Sequence, residues 1–206
     1  MRLDSAAVHV PSSEPTTPAR TDAEECACAQ RVRAGDKDAF ERLYRAYYRR
    51  LVGFVYTYLH SEPIAEELVQ DVFLAIWRER ERWELRTTVR AYLFQSARNA
   101  ALNHLRHEGV SQSALENAAA DGRALAMGER PAALDVQQEA DELATVAQAA
   151  IAKLPPRCRM AFTLCRAHGL TYAETAQVMG VSERTVKMQM ARALLALRAG
   201  LARWLP

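Results

Sequence analysis

Glycine and proline are scarce in this chain, eight of each in 206 residues, well below the roughly 12% they make together in an average protein. A fold of many short strands and tight turns needs both, so that class is excluded. Cysteine is scarce too. Cys26, Cys28, Cys158 and Cys165 form no C-x-x-C pair, which argues against a zinc site or a disulfide framework and leaves reduced, mostly packed thiols. No apolar run approaches the roughly 18 residues of a membrane span, and the first 25 residues lack the apolar stretch of a secretory signal, so the cytoplasm is the expected location. Missing as well are G-x-S-x-G, a phosphate-binding P-loop, H-E-x-x-H and a dinucleotide fingerprint. No enzymatic activity and no cofactor are expected. His104, His107 and Glu108 lie close in sequence, but no second ligand cluster supports them and the arginines nearby would repel a cation, so no metal site is assigned.

What is abundant is alanine, 38 residues, the strongest helix former. With half of the residues hydrophobic and a quarter charged, the composition predicts a globular all-α protein. The net charge of +2 conceals unlike segments. From Lys153 to Pro206 nine basic residues face two acids; residues 85–107 carry Arg86, Arg90, Arg98 and Arg106 with no acid; residues 108–150 carry eight acids against Arg123 and Arg130. Two basic segments flank an acidic one, and the basic ends suit phosphates. The acidic stretch lacks sustained periodicity over 108–133 and is expected to be a flexible linker. The division is therefore a disordered tail over 1–24, a helical domain over 25–107, the linker, and a second helical domain over 134–206.

Apolar spacing places the helices. A short helix ends at Ala34 with Gly35 as its stop. Asp36 caps the next, where Phe40, Leu43, Tyr44, Tyr47, Leu51, Phe54, Val55 and Tyr58 share a face and the helix ends near His60. Ser61 caps a third, with Pro63 in its first turn and Ile64, Leu68, Val72 and Ile76 running on to about Trp83. After a break at Glu84 to Thr87, a helix from Thr88 to His107 buries Val89, Leu93, Ala97, Ala101 and Leu105. In the second half, helices span about 134–153 and 157–167. Thr171 with Glu174 forms a capping box, Gly180 closes that helix, and Ser182 caps the last one. There Val186, Met190, Ala193, Leu194 and Leu197 face inward, while Arg184, Lys187, Met188, Ala191 and Arg192 face out.

A helix, a three-residue turn and a basic-faced helix make the helix-turn-helix pattern, which reads bases from the N-terminal end of its second helix. A bare helical hairpin with a solvated basic face is the plainer explanation, and the concentration of positive charge in this half speaks against it.

The segment LPPRCRMAFTLCRAHGLTYAETAQVMGVSERTVKMQMARALLALR resembles the promoter-reading C-terminal domain of the extracytoplasmic-function (ECF) sigma factors of bacterial RNA polymerase. FERLYRAYYRRLVGFVYTYLHSEPIAEELVQDVFLAIWRERERW, followed by VRAYLFQSARNAALNHLRH, resembles that family's region two. Together they cover roughly residues 25–200 in the family's order. LPPRCR and TVKMQMARALLALR are similar to the iron-uptake-regulator subgroup, often paired with a membrane-anchored anti-sigma regulator.

The resemblance implies core RNA polymerase, promoter DNA and an anti-sigma factor as partners. It implies that Glu67, Gln70, Asp71, Phe73 and Leu74 bind the polymerase. It also implies that the segment after Trp83 melts the minus-10 element, with a flipped base held near Glu84 to Thr87. Trp83 and Tyr92 would stack on bases, and Arg86, Arg90, Gln95, Arg98, Asn99, Asn103 and Arg106 would contact the strand. Ser182, Arg184, Thr185, Lys187, Met188, Gln189 and Arg192 would read the minus-35 duplex. Met188 and Gln189 stand where many relatives carry Ser-Arg. The alternatives are a stand-alone helix-turn-helix regulator with a sensing or dimerising first domain, which would bind its promoter unaided, and an all-helical protein adaptor.

Overall fold

The computed structural model describes residues 22–85, 87–109 and 146–201. Every regular element among them is helical, and they fall into two packed groups. The first holds α1 (Asp22–Arg33), α2 (Lys37–Leu59), α3 (Glu62–Arg78), a single 3-10 turn (Arg80–Arg82) and α4 (Val89–His107). The second holds a helical stretch over 146–152, then α5 (Pro156–Arg166), α6 (Tyr172–Met179) and α7 (Glu183–Gly200).

Local chemistry sets the boundaries. Asp36 caps α2 by accepting from the Ala39 amide at 2.9 Å, and Arg31 donates to its other oxygen at 2.8 Å. These contacts hold its carboxyl below the usual carboxylate range, the backbone bond contributing most. His60 ends α2 in the left-handed region at φ 54°. α3 is shorter than its apolar stripe suggests. It stops at Arg78 and the chain tightens into the 3-10 turn before Trp83. α1 starts at Asp22, so its first turn takes in residues 22–24, assigned above to the tail. The acidic linker lies outside the described residues apart from Glu108 and Gly109, as does most of the helix expected over 134–153.

The first group packs α2, α3 and α4 around Leu51, Phe54, Val55, Val69, Leu93, Phe94 and Ala97, all with almost no exposed surface. In the second, Ala161, Cys165, Ala176, Val186 and Met190 fill the angle between α5, α6 and α7. The two groups also meet: Met160, Leu164, Leu170 and Val178 of the second join the core of the first, and α4 lies against α6.

Candidate nucleic-acid and polymerase interfaces

Along α3, Glu67, Gln70, Asp71 and Leu74 are exposed, their spacing of three and four residues placing them on one helical face. Leu74 is unusual among them, an apolar side chain left about half uncovered. Phe73, assigned by resemblance to the same face, is not on it. It is 2% exposed, edge-on to Phe40 (centroids 6.1 Å) and tilted on Tyr44 (4.9 Å). A position two after Asp71 turns about 200° round the helix, which carries it to the core side.

Where α3 gives way to the 3-10 turn, a cleft of about 380 Å³ opens, lined by Ile76, Glu79, Trp83, Glu84, Tyr92 and Ser96 among others. Trp83 forms its wall rather than a free platform. It is 4% exposed, its ring 5.6 Å from that of Tyr92 at 55°, and its indole Nε1 has no hydrogen-bond partner among the described residues. Tyr92 is half-buried beside it. From there Gln95, Asn99, Asn103 and Arg106 continue along one exposed face of α4, and Arg106 donates to the Asn103 side chain at 2.6 Å. Arg98 sits half-buried towards Tyr58. Arg86 lies outside the described residues.

Arg90 departs furthest from expectation. It is 7% exposed, and its Nη1 donates to the Gly169 carbonyl at 2.6 Å. Beside it, Arg50 donates to the His168 carbonyl at 2.5 Å, and the Thr88 hydroxyl bonds the Glu174 carboxylate. The His168 ring is wedged between Phe94 (4.6 Å) and Phe54 (6.2 Å). Burial, with the Arg50 charge adding to it, pushes its pKa down to about 3. No spacing in the sequence announced this junction, because both of its sides read as ordinary helix surface and loop.

The second basic face is built from its caps. The Thr171 hydroxyl accepts from the Glu174 amide while the Glu174 carboxylate accepts from the Thr171 amide, and Gly180 takes the left-handed turn at φ 68°. The Ser182 hydroxyl accepts from the Thr185 amide at 3.2 Å and starts α7. Exposed on that helix are Arg184, Lys187, Met188 and Arg192, with Thr185 half-buried. Lys187 pairs with Glu183 at 2.7 Å. Gln189 does not belong to the exposed row. At 7% exposure it lies three residues from Val186 and four from Ala193, within the inward stripe. Leu194, expected inward, is instead exposed.

The thiols divide by burial: Cys26 is exposed, Cys28 approaches the Ala39 carbonyl at 3.4 Å, and Cys158 and Cys165 are buried, which raises their pKa values. No helix among the described residues is long and apolar enough to cross a membrane.

Residues 43–110 match the family model described as "Sigma-70 region 2", and residues 145–197 match that described as "Sigma-70, region 4". The chain is 31% identical over 173 residues to the ECF RNA polymerase sigma factor SigM of Mycobacterium tuberculosis, covering 84% of this chain and 80% of that one. Its fold is similar to CnrH in complex with the cytosolic domain of CnrY (TM-score 0.56, 22% identity, 88% of this chain and 99% of that one). It is similar also to the sigma factor RpoE in complex with the anti-sigma factor NepR from Bartonella quintana (TM-score 0.53, 24% identity, 79% and 96%).

Proposed function

Because the chain belongs to the ECF group of RNA polymerase sigma factors, we propose that its exposed faces divide promoter recognition between them. As a sigma factor it joins core RNA polymerase and directs transcription initiation at its promoters. The α3 row of Glu67, Gln70, Asp71 and Leu74 docks on the polymerase, polar groups orienting the contact and Leu74 filling its apolar centre. The cleft between Trp83 and Tyr92 takes a base flipped from the opened minus-10 strand, and the α4 row with Arg106 follows the backbone. At minus-35, α7 enters the major groove with Arg184, Lys187 and Met188 nearest the bases and Arg192 nearer a phosphate.

One observation supports this over a stand-alone regulator: both sigma regions occur in order in one chain. The polymerase makes the phosphodiester bonds and this chain performs no catalysis. It works in the cytoplasm, where its template lies. By likeness to the complex of RpoE with an anti-sigma factor, it takes an anti-sigma partner. LPPRCR and TVKMQMARALLALR favour the iron-uptake subgroup, often paired with a membrane-anchored anti-sigma regulator. The division into 25–107, 108–133 and 134–206 belongs to the same proposal. Run-off transcription with purified core polymerase on a genomic library tests it. Promoter-specific transcripts are expected only when both proteins are present, and promoter binding without polymerase would favour the stand-alone regulator.

A further inference from the structure

We propose that Met188 is a thymine reader: its side chain and the Ala191 methyl form an apolar step on α7 that packs on the C5-methyl of a thymine in the minus-35 duplex. Over its first three turns α7 presents a charged outer face. Arg184, Lys187 and Arg192 are exposed there, and Met188 stands among them with about half of its surface uncovered. Arg184 precedes it by four residues and Arg192 follows it by four, so the three share one face, and the exposed Ala191 lies beside them. Met188 comes six residues after the Ser182 cap, about 9 Å along the axis, within the N-terminal part of a reading helix that reaches base edges. Its neighbours are otherwise engaged. Lys187 pairs with Glu183 at 2.7 Å, the Thr185 hydroxyl meets that of Ser182 at 2.8 Å, and Gln189 is buried.

The chemistry of the major groove leaves one match for such a step. Every base edge there offers hydrogen-bond donors or acceptors, and thymine alone adds a methyl group. A thioether donates no hydrogen bond. Set against guanine, or against the amino groups of cytosine and adenine, it would strip water from polar atoms without replacing it. Against thymine it covers the methyl, and its unbranched, adaptable chain fits that small target. Arg184 and Arg192, one turn to either side, are placed for the neighbouring base edge and phosphate. The inference rests on the assignment of α7 to the minus-35 major groove and adds to it the base that Met188 selects.

The test is uracil interference with the full chain in holoenzyme. A promoter recovered by run-off transcription is amplified with thymidine partly replaced by deoxyuridine, which removes the C5-methyl and leaves the hydrogen-bonding edge unchanged. Bound and free duplexes are then separated and cleaved at uracil. Uracil at one minus-35 position should lower binding about fourfold, equivalent to about 0.8 kcal/mol for one buried methyl-sized group. Met188→Ala should erase that penalty, whereas Met188→Leu, still apolar, should retain it. Met188 is exposed, so both variants should melt as the native chain does. Uracil within the minus-10 element is the internal control, and any penalty there should be the same in all three proteins. No penalty at any minus-35 thymine would overturn the proposal, as would a penalty that survives in Met188→Ala. Either failure leaves promoter-specific transcription intact, whereas a native chain that yields no such transcript with core polymerase would strike the sigma-factor reading itself.

Discussion

Asp71 and Phe73 are two residues apart and have opposite consequences. Asp71 is exposed on the face proposed to dock on the polymerase, so Asp71→Arg should weaken co-purification with core polymerase while leaving the unfolding midpoint unchanged. Phe73 is fully packed against Phe40 and Tyr44, so Phe73→Ala should destabilise the fold by about 3 to 5 kcal/mol through the cavity it leaves. Denaturant melts beside pull-downs separate the two, and a Phe73→Ala protein of native stability would remove it from the core. On α7 the matching experiment is Arg184→Ala. If Arg184 bonds a base edge with both arms of its guanidinium, the substitution should cost roughly 1 to 3 kcal/mol and relax preference at one minus-35 position, whereas a phosphate-binding role would make it weaken all sequences alike. Competition between minus-35 variants, using holoenzyme, reads the difference. Residue type and spacing made the exposure of Arg184, Lys187 and Arg192 legible in the sequence. Gln189 was not, because a polar side chain on a basic helix reads as exposed until the buried stripe through Val186 and Ala193 is traced. Trp83 misled in the opposite way: an aromatic beside a basic track suggests a free stacking platform, yet indole area favours burial wherever neighbours permit.

At the scale of elements, the caps carried most of the information. Asp36, Thr171 and Ser182 each accept from the amide three residues on, and these short-range bonds depend on nothing distant, which is why they could be read from the chain alone; Thr88, read as the first residue of its helix, caps it in the same way, while Ser61, read as a cap, makes no such bond. Thr171→Ala should therefore cost about 0.5 to 2 kcal/mol, measurable as a lower denaturant midpoint, and it should leave the Glu174 carboxylate its bond from Thr88. A midpoint unchanged by the substitution would mean that the capping box contributes nothing in solution. The end of α3 was less legible. Its apolar stripe runs past Arg78, and at the helix end a side chain turns back on the backbone: Arg80 donates to the Trp77 carbonyl three residues earlier at 2.9 Å and lays its guanidinium over the Trp77 ring at 4.9 Å. Such a bond from a side chain to one of the last carbonyls of a helix depends on side-chain geometry that no propensity scale encodes.

The packing of one helical group on the other belongs to the whole molecule, and it has a pH signature. His168 has a pKa near 3 in the closed form because its ring is buried between Phe54 and Phe94 and, secondarily, because Arg50 stands beside it. Arg90 bonds the adjacent Gly169 carbonyl, and Glu174 meets Thr88 on the same edge. Separating the groups returns the ring to water and to its ordinary value of 6.5. The closed form then binds fewer protons than the open form throughout the interval between those two values. Closure is accordingly strongest above pH 6.5 and weakens as pH falls, by about 1.4 kcal/mol for each unit below it. Between pH 7.5 and pH 5.5 the ratio of closed to open chain should drop by roughly tenfold. In a chain with Cys26→Ser and Cys28→Ser, energy transfer between dyes attached through Arg45→Cys on α2 and Leu195→Cys on α7, both exposed positions, should fall over the same interval. His168→Phe fills the gap between Phe54 and Phe94 without a titrating nitrogen, so it should keep the chain closed and flatten the dependence. A native chain whose transfer is constant from pH 7.5 to 5.5, or a His168→Phe chain that opens as readily on acidification, would show that protonation of His168 does not govern the contact between the two halves.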